Sequence, residues 1–431
     1  MLNYESLYLN LPAEHQIWFG KQPPFYMHSV YIEHSSGFRL HSSLHTKFKQ
    51  VWIYEKSLAT YESWEAILDE AIRCLEESGN IIIRFNQTDE CNVIKIKRYL
   101  YRHKFLTAEV SEECFDGSYF EINFTIHRKA PHIYKDRSWT MALLTTGNKV
   151  DNVVSFCKSI RQFGGQDIQI LICGPKNIAY SEFNVEYVDV DTREGLAEIS
   201  KKKNVIAQHA IHNNLLIAHD RYILNPDFIN GFEAFGYDFD FVTINQNYEC
   251  GSSFPCIAKL RTALAWCRPI IVEKPEDIDN RCYANGGLLI FKKSSLESIK
   301  MNDLLFWNQA EDVEISRAFY DCSIPLRWNV LSSATTIGIT PDYTSTFIVE
   351  SKKQDDKFQS ESALNNYILK HYLYFLNREP DSSGYEHYSS FSKTFFGKLK
   401  FIVSIAFSPE SLELNGVIGA IKKIIKCKAR K

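Results

Sequence analysis

From Trp139 onward, short apolar runs alternate with helix-periodic stretches, and this alternation constrains the fold more than any other feature of the chain. "WTMALLTTGN" reads as a strand ending in a turn, and "DNVVSFCKSIRQF" then sets Val153, Val154, Cys157 and Ile160 at helical spacing. "DIQILICGP" is the next strand and "VEYVDV" a third. Strands separated by helices imply a parallel sheet, whose binding sites lie at the strand ends. The expected class is α/β.

A similar pattern marks residues 1 to about 130. "FKQVWIYEKS" reads as a strand, "WEAILDEAIRCLEES" as a helix with Ile67, Ala71, Cys74 and Leu75 on one face, and "GNIIIRF" as the following strand. The proline-containing stretch "RKAPHIYKDRS", 128–138, is expected to be a linker into the second α/β region, 131–350. The polar run "SKKQDDKFQS", 351–360, marks another boundary, beyond which Pro and Gly punctuate helical stretches of a small all-α unit, 360–414. With 431 residues, two or three units are expected.

Composition removes several function classes. Hydrophobic residues make up 45%, enough for packed cores, and a formal net charge of -3 speaks against a general nucleic-acid binder, which needs a basic face. The 11 cysteines form no C-x-x-C pair, so buried thiols in a reducing cytoplasm are expected rather than zinc or redox centres. The opening "MLNYESLYLNLPAEHQ" lacks a charged-then-apolar signal pattern, and no apolar run approaches the span of a bilayer.

Closely placed acids occur in three places of the second region: Asp189 with Asp191, Asp220, and Asp238 with Asp240. Spacing favours the first and third, each a D-x-D. Order along the fold favours Asp220, because the apolar run "NLLIAHD" delivers it to a strand end, opposite Thr145, Thr146 and Gly147 at the end of the first strand. A hard divalent cation wants carboxylate oxygens and accepts substrate phosphates for the rest of its shell. The alternative is an Asp accepting backbone N–H groups in a turn.

Two further stretches carry chemistry. In "NQAEDVEISRAFY", Glu311 and Asp312 stand at a helix start, where acids complement the orphan amides. Two adjacent acids also repel, which raises the proton affinity of one and suits a general base. In "CYANGGLLIF", Asn285, Gly286 and Gly287 precede a buried strand. Missing side chains permit another molecule or backbone to approach closely, or simply a tight turn.

The ordered set "TTG", "LICG", "KKKN", "AHDR", "NGG" and "EDVEISR", over residues 139 to about 340, resembles the inverting GT-A glycosyltransferases of the large family-two type. That resemblance implies a Rossmann-like mixed sheet, a nucleotide-diphosphate sugar donor and a growing surface glycan as acceptor. Thr145, Thr146, Gly147 and Gly174 would line the nucleotide, Lys203 would face its phosphates, and Asp220 would hold a cation, Mn or Mg. Asn285, Gly286 and Gly287 would face the acceptor or sugar, and Asp312 would be the base with Glu311 as its neighbour. The family's metal motif usually carries two acids. Here Asp220 stands alone, so His219 would be a second ligand or Arg221 would neutralise phosphate directly.

Two lesser resemblances flank this one. "WEAILDEAIRCLEESGNIIIRF" resembles the later half of a class I methyltransferase, but no glycine-rich cofactor turn occurs before Lys47, so the region reads as truncated and non-catalytic. "YILKHYLYFLNREPDSSGYEHYSSF" followed by "FIVSIAFSPES" resembles the small helical domain related to phycobilisome linkers, which implies a protein-interaction module. Last, "NGVIGAIKKIIKCKARK", 415–431, places Val417, Ile418, Ile421, Ile424 and Ile425 opposite Lys422, Lys423 and Lys426. A basic amphipathic helix of this kind suits the cytoplasmic face of an anionic membrane and a lipid-linked acceptor, or else packs on its own domain. The competing reading of the whole chain is a non-catalytic scaffold in a glycan-assembly complex.

Overall fold

Strand pairing resolves the alternation into two large sheets. The computed structural model describes residues 4–32, 37–61, 63–165, 167–193, 196–260, 269–306, 309–341, 367–378, 380, 384, 387–388 and 395–428. Residues up to Thr344 cluster as one compact unit and those from Ser345 as a second.

The first sheet runs in the order β2-β1-β3-β4-β6-β5. Its strands are β1 (Gln16–Phe19), β2 (His28–Val30), β3 (Phe48–Ile53), β4 (Leu75–Phe85), β5 (Leu106–Phe115) and β6 (Phe120–Arg128). β1 to β4 pair in parallel, whereas β6 runs antiparallel to both its neighbours. After α1 (Tyr4–Leu9), the helices α2 (Trp64–Cys74) and α3 (Val93–Arg102) follow β3 and β4. The helix expected to reach Ser78 ends at Cys74. The amides of Thr46 and Lys47 take the carbonyls of Arg73 and Cys74, and the chain enters β4 extended from Leu75. Tertiary partners for the last carbonyls decide where the helix stops.

The second sheet runs in the order β11-β18-β12-β17-β10-β7-β8-β9. β7 (Trp139–Leu144), β8 (Gln169–Cys173), β9 (Val185–Tyr187) and β10 (Asn214–His219) are parallel, joined through α4 (Val150–Phe163) and α5 (Ile199–His209). β11 (Tyr222–Leu224), α6 (Phe228–Phe235) and β12 (Phe241–Tyr248) follow. The short strands β13 (Ser253–Phe254), β14 (Ile257–Lys259), β15 (Ile270–Ile271) and β16 (Cys282–Ala284) lead to β17 (Leu288–Lys292), which is antiparallel to both β10 and β12. α7 (Lys293–Ser298), α8 (Glu311–Asp321) and β18 (Arg327–Thr336) complete the unit. This is the expected α/β class, a Rossmann-like mixed sheet in which β17 is reversed in the interior, and β11 and the short β13 run antiparallel to β18 and β12.

The stretch 128–138 does not hang free between the sheets. Arg128 forms a bidentate pair with Asp238 at 2.8 and 2.8 Å, and the buried Tyr134 hydroxyl donates to Asp240 at 2.9 Å. Arg73 of α2 reaches Asp69 at 2.9 Å, Asp238 at 2.8 Å and Asp240 at 3.0 Å, while Arg327 of β18 reaches Glu70 at 3.1 Å. The "YDFD" acids are therefore a buried brace between the sheets. The other D-x-D acids, Asp189 and Asp191, are exposed beyond β9.

In the second unit a helix over 367–376 packs Ile368, Tyr372, Phe375 and Leu376 against Phe401 and Ile405 of the helix Phe395–Ala406. Arg378 of "NREPD" pairs with Glu410 of "SPE" at 2.6 and 2.8 Å, which ties these two distant stretches together. Gly416, at φ 62°, breaks the last helical stretch, Pro409–Lys428. Among the described residues no single helix is long and apolar enough to cross a membrane. One bent pair, Lys398–Ala406 with Pro409–Ile424, passes by length and composition with a bend of 88°.

Candidate functional site

The carboxyl ends of β7 and β10 lie side by side, and their side chains meet. The Asp220 amide donates to Leu144 O at 3.1 Å, and the Thr145 hydroxyl donates to Asp220 Oδ2 at 2.8 Å while its oxygen accepts the Gly147 amide at 3.0 Å. Asn152 of α4 donates to the Asp220 carbonyl at 2.9 Å. Asp220 is thus fixed as an acceptor facing the crevice beyond the strand ends.

Gly147 and Gly174, expected to line a nucleotide, have a packing reason of their own. Gly147 sits at φ 85°, where a Cβ would lie 3.0 Å from Pro175, and a Cβ on Gly174 would lie 2.4 Å from the Thr145 carbonyl. Both glycines let the turns after β7 and β8 touch. Thr146, just before Gly147, is exposed.

The reversed strand β17 brings the second half of the site. Its entry turn holds Asn285, whose side chain accepts the Gly287 amide at 2.9 Å and donates to Pro255 O at 3.0 Å. Gly287 O accepts the His219 amide at 2.9 Å, and the Gly286 amide donates to Asp312 Oδ2 at 3.1 Å. A Cβ on Gly286 would lie 2.9 Å from Asp312, and one on Gly287 would lie 2.3 Å from the Arg221 guanidinium. Two residues without side chains therefore bridge the Asp220 side of the crevice to the Asp312 side.

Glu311 and Asp312 open α8, with Ala310 before them in the left-handed region at φ 55°. Burial, and then the neighbouring Glu311 charge, push the Asp312 carboxyl up to about 6, against the opposing pull of Lys203 and the Gly286 and Val313 amides. A carboxyl in that range is suited to accept a proton near neutrality. Lys203 of α5 is fully buried, donating to Gly286 O at 2.9 Å and lying 3.4 Å from Glu311. Rather than facing an open phosphate pocket, its ammonium pins the glycine turn and the acid pair from behind.

The His219 ring is surrounded by cations. Burial, followed by the charges of Lys203, Arg221 and Lys149, lowers its pKa far below the usual range, so the imidazole is neutral. No group of three His, Cys, Asp or Glu residues converges among the described residues. One carboxylate, with one oxygen already taking the Thr145 hydroxyl, fits a cation whose other ligands are substrate oxygens, not a cage built by the protein.

Three buried polar atoms beside this crevice have no partner: His219 Nε2, Arg221 Nε and Gln246 Nε2. Gln246 meets the site through the Tyr222 hydroxyl, which donates to its Oε1 at 2.7 Å. Orphaned buried groups are costly, so a cluster of them marks where a polar ligand or water completes the bonding. Neither Asn152 nor Gln246 carries any local signal in the sequence, because both join the site through contacts between distant strands.

No protein-family model matches the chain, and no curated protein matches it. Among solved structures it is similar to GalNAc-T7 with UDP, GalNAc and Mn2+, at 12% identity and TM-score 0.36 over 50% of this chain and 46% of that one. It is also similar to the mannosyltransferase PcManGT from Pyrobaculum calidifontis in complex with GDP-Man and Mn2+, at 11% identity and TM-score 0.34 over 69% of this chain and 76% of that one. A third is S. aureus TarS, at 13% identity and TM-score 0.32 over 67% of this chain and 49% of that one. The chain thus spans about half the length of the GalNAc-T7 and TarS chains.

Proposed function

We propose that the chain is an inverting glycosyltransferase, which moves a sugar from a nucleotide-diphosphate donor to a hydroxyl of a growing cell-surface glycan. The observation that carries this reading is the bridge made by Gly286 and Gly287, with Asp220 and Arg221 at one end and the proton-accepting Asp312 at the other. Displacement at an anomeric carbon needs both ends: charge stabilisation for the departing diphosphate and a base for the incoming hydroxyl.

In this mechanism the Arg221 guanidinium stabilises charge developing on the leaving diphosphate. Asp312 takes the acceptor's proton as its oxygen bonds to the anomeric carbon and the carbon–diphosphate bond breaks on the opposite face. A single displacement of that kind inverts configuration. A divalent cation held by Asp220 and the diphosphate would supply further neutralisation of the leaving group. Lys203 holds Glu311 and the glycine turn in place, and Glu311 tunes Asp312.

The test is hydrolysis of a panel of nucleotide sugars by the purified chain, with Mn, Mg or chelator. One donor is expected to be turned over, with Asp220→Ala lowering the rate on the order of a hundredfold or more. Cation should bind appreciably only together with that donor. No donor binding at all would favour the scaffold reading instead.

The same reading makes the acceptor lipid-linked and puts the chain on the cytoplasmic face of the membrane, with the helical unit free to dock a protein partner. Its support is the helix beyond Gly416, where Val417, Ile418 and Ile421 are exposed beside the exposed Lys422. Ile424 instead packs on the helical core, and Lys423 donates to Tyr374 O at 2.7 Å; the side chains of Ile425 and Lys426 lie outside the described residues. Flotation with anionic vesicles is the measurement. The protein should float with anionic but not neutral vesicles, and Ile418→Asp should leave it at the bottom of the gradient.

A further inference from the structure

A feature not used by this chemistry is a cavity of about 760 Å³ within the first unit, a volume in the range of ligand pockets. Its walls come from segments far apart in sequence: 59–66 before and within α2, 275–282 leading into β16, one face of α8, and the start of β18. Neither sheet could form it alone.

Two of its walls run directly to the proposed base. Ser316 and Tyr320 line it, and with Asp312 they stand at i, i+4 and i+8 on α8, so all three share one helix face. The Ser316 hydroxyl donates to the Asp312 carbonyl at 2.7 Å and accepts the Ala284 amide at 3.3 Å, stitching α8 to β16. Along β16, Cys282 lines the cavity, and Asn285 in the glycine turn follows only three residues later, roughly 10 Å of extended chain. The seam between α8 and β16 thus connects the cavity with Asp312.

The lining has a particular chemistry. Aromatic surfaces of Tyr61, Trp64, Tyr320 and Trp328 alternate with the carboxylate of Glu65 and the guanidinium of Arg281. Tyr61, Glu65 and Tyr320 are half-buried, and the Tyr320 hydroxyl donates to Glu65 at 3.3 Å. A pyranose offers the matching surface: an apolar C–H face that packs on an aromatic ring, and an edge of hydroxyls that both donate and accept.

We propose that this cavity, between the N-terminal sheet and α8, binds the oligosaccharide chain of the acceptor and presents its end to Asp312. The proposal rests on the transferase reading for the identity of the ligand as acceptor, but not for the binding of carbohydrate. It gives the N-terminal region a role without cofactor chemistry: it completes the wall of a glycan site.

The full chain, wild type and Asp312→Asn, would be titrated with an array of neutral and acidic oligosaccharides, following tryptophan fluorescence, because Trp64 and Trp328 line the cavity. Donor hydrolysis is followed in the same samples. Saturable binding of at least one glycan by both proteins is expected, weakened about tenfold or more by Tyr61→Ala and by Glu65→Gln with donor hydrolysis and melting temperature unchanged. Glycan binding without donor hydrolysis would sustain the cavity and remove the transferase reading. Donor hydrolysis without glycan binding, or glycan binding untouched by both wall variants, would overturn the cavity proposal.

Discussion

Asp312→Asn is expected to lower sugar transfer by about 10²–10⁴-fold while leaving donor binding and folding intact. The change keeps the shape of the side chain, but its single Oδ1 can accept only one of the two amides that now donate to separate carboxylate oxygens, Gly286 at 3.1 Å and Val313 at 2.9 Å. The ability to take a proton is removed at the cost of one backbone hydrogen bond. Wild-type activity is expected to rise with pH and level off above about 6, because burial and Glu311 hold the Asp312 proton that far up and the base works only when ionised. Glu311→Gln removes the like charge, which lets Asp312 ionise earlier and should move the acid limb to lower pH. A pH–rate profile of transfer on the three proteins reads both effects. An Asp312→Asn variant as active as wild type would sink the assignment of the base.

Asp238→Asn should cost about 3–5 kcal/mol of stability. Asp238 is 2% exposed and holds Arg73 at 2.8 Å and Arg128 at 2.8 Å. Removing its charge leaves two buried guanidinium groups short of a partner. Burial alone would raise the Asp238 carboxyl, but Arg128 and Arg73 outweigh it and hold it at about 2. Glu70, which faces Arg39, His45 and Arg327, lies well below its usual range for the same reason.

The direction with pH follows from proton binding. The unfolded chain takes up protons at these carboxyls near pH 4, before the folded chain does, so their contribution is complete above about pH 4 and is lost as pH falls toward 2. For Asp238 alone that is roughly 2–3 kcal/mol. Thermal or denaturant melts across that range, on wild type and Asp238→Asn, provide the check, and the variant should show the weaker acid dependence. Asp220→Asn, at the rim of the crevice, should melt near wild type. If Asp238→Asn instead lost donor turnover with unchanged stability, the "YDFD" pair would be a ligand site and not a brace.

That pair shows where reading a chain from its own residues stops. Two literal D-x-D motifs occur in the second region, and spacing cannot separate a metal motif from a structural one. What decides Asp238 and Asp240 is Arg73, more than 160 residues earlier, together with Arg128 and Tyr134 in a stretch that reads as a polar linker. Lys203 is similar: the resemblance has it face the donor phosphates, and nothing in the basic run shows that its ammonium is fully buried against Gly286 O. The glycines of "TTG" and "LICG" are visible as glycines, but only the contact of two turns shows that each makes room for the other.

The sequence by itself determined the alternation of strands and helices, the α/β class, and the delivery of Asp220 to a strand end and of Glu311 and Asp312 to a helix start. These follow from periodicity and punctuation, which are properties of neighbouring residues. Tertiary structure alone decided which acids are neutralised, which cations are buried, and that β17 runs backwards so that Gly286 and Gly287 join the two halves of the crevice. It also decided that segments 59–66, 275–282 and α8 enclose one cavity. Charge neutralisation and enclosure depend on distances between groups far apart in the chain, and the folding of the apolar faces sets those distances without any local pattern to announce them.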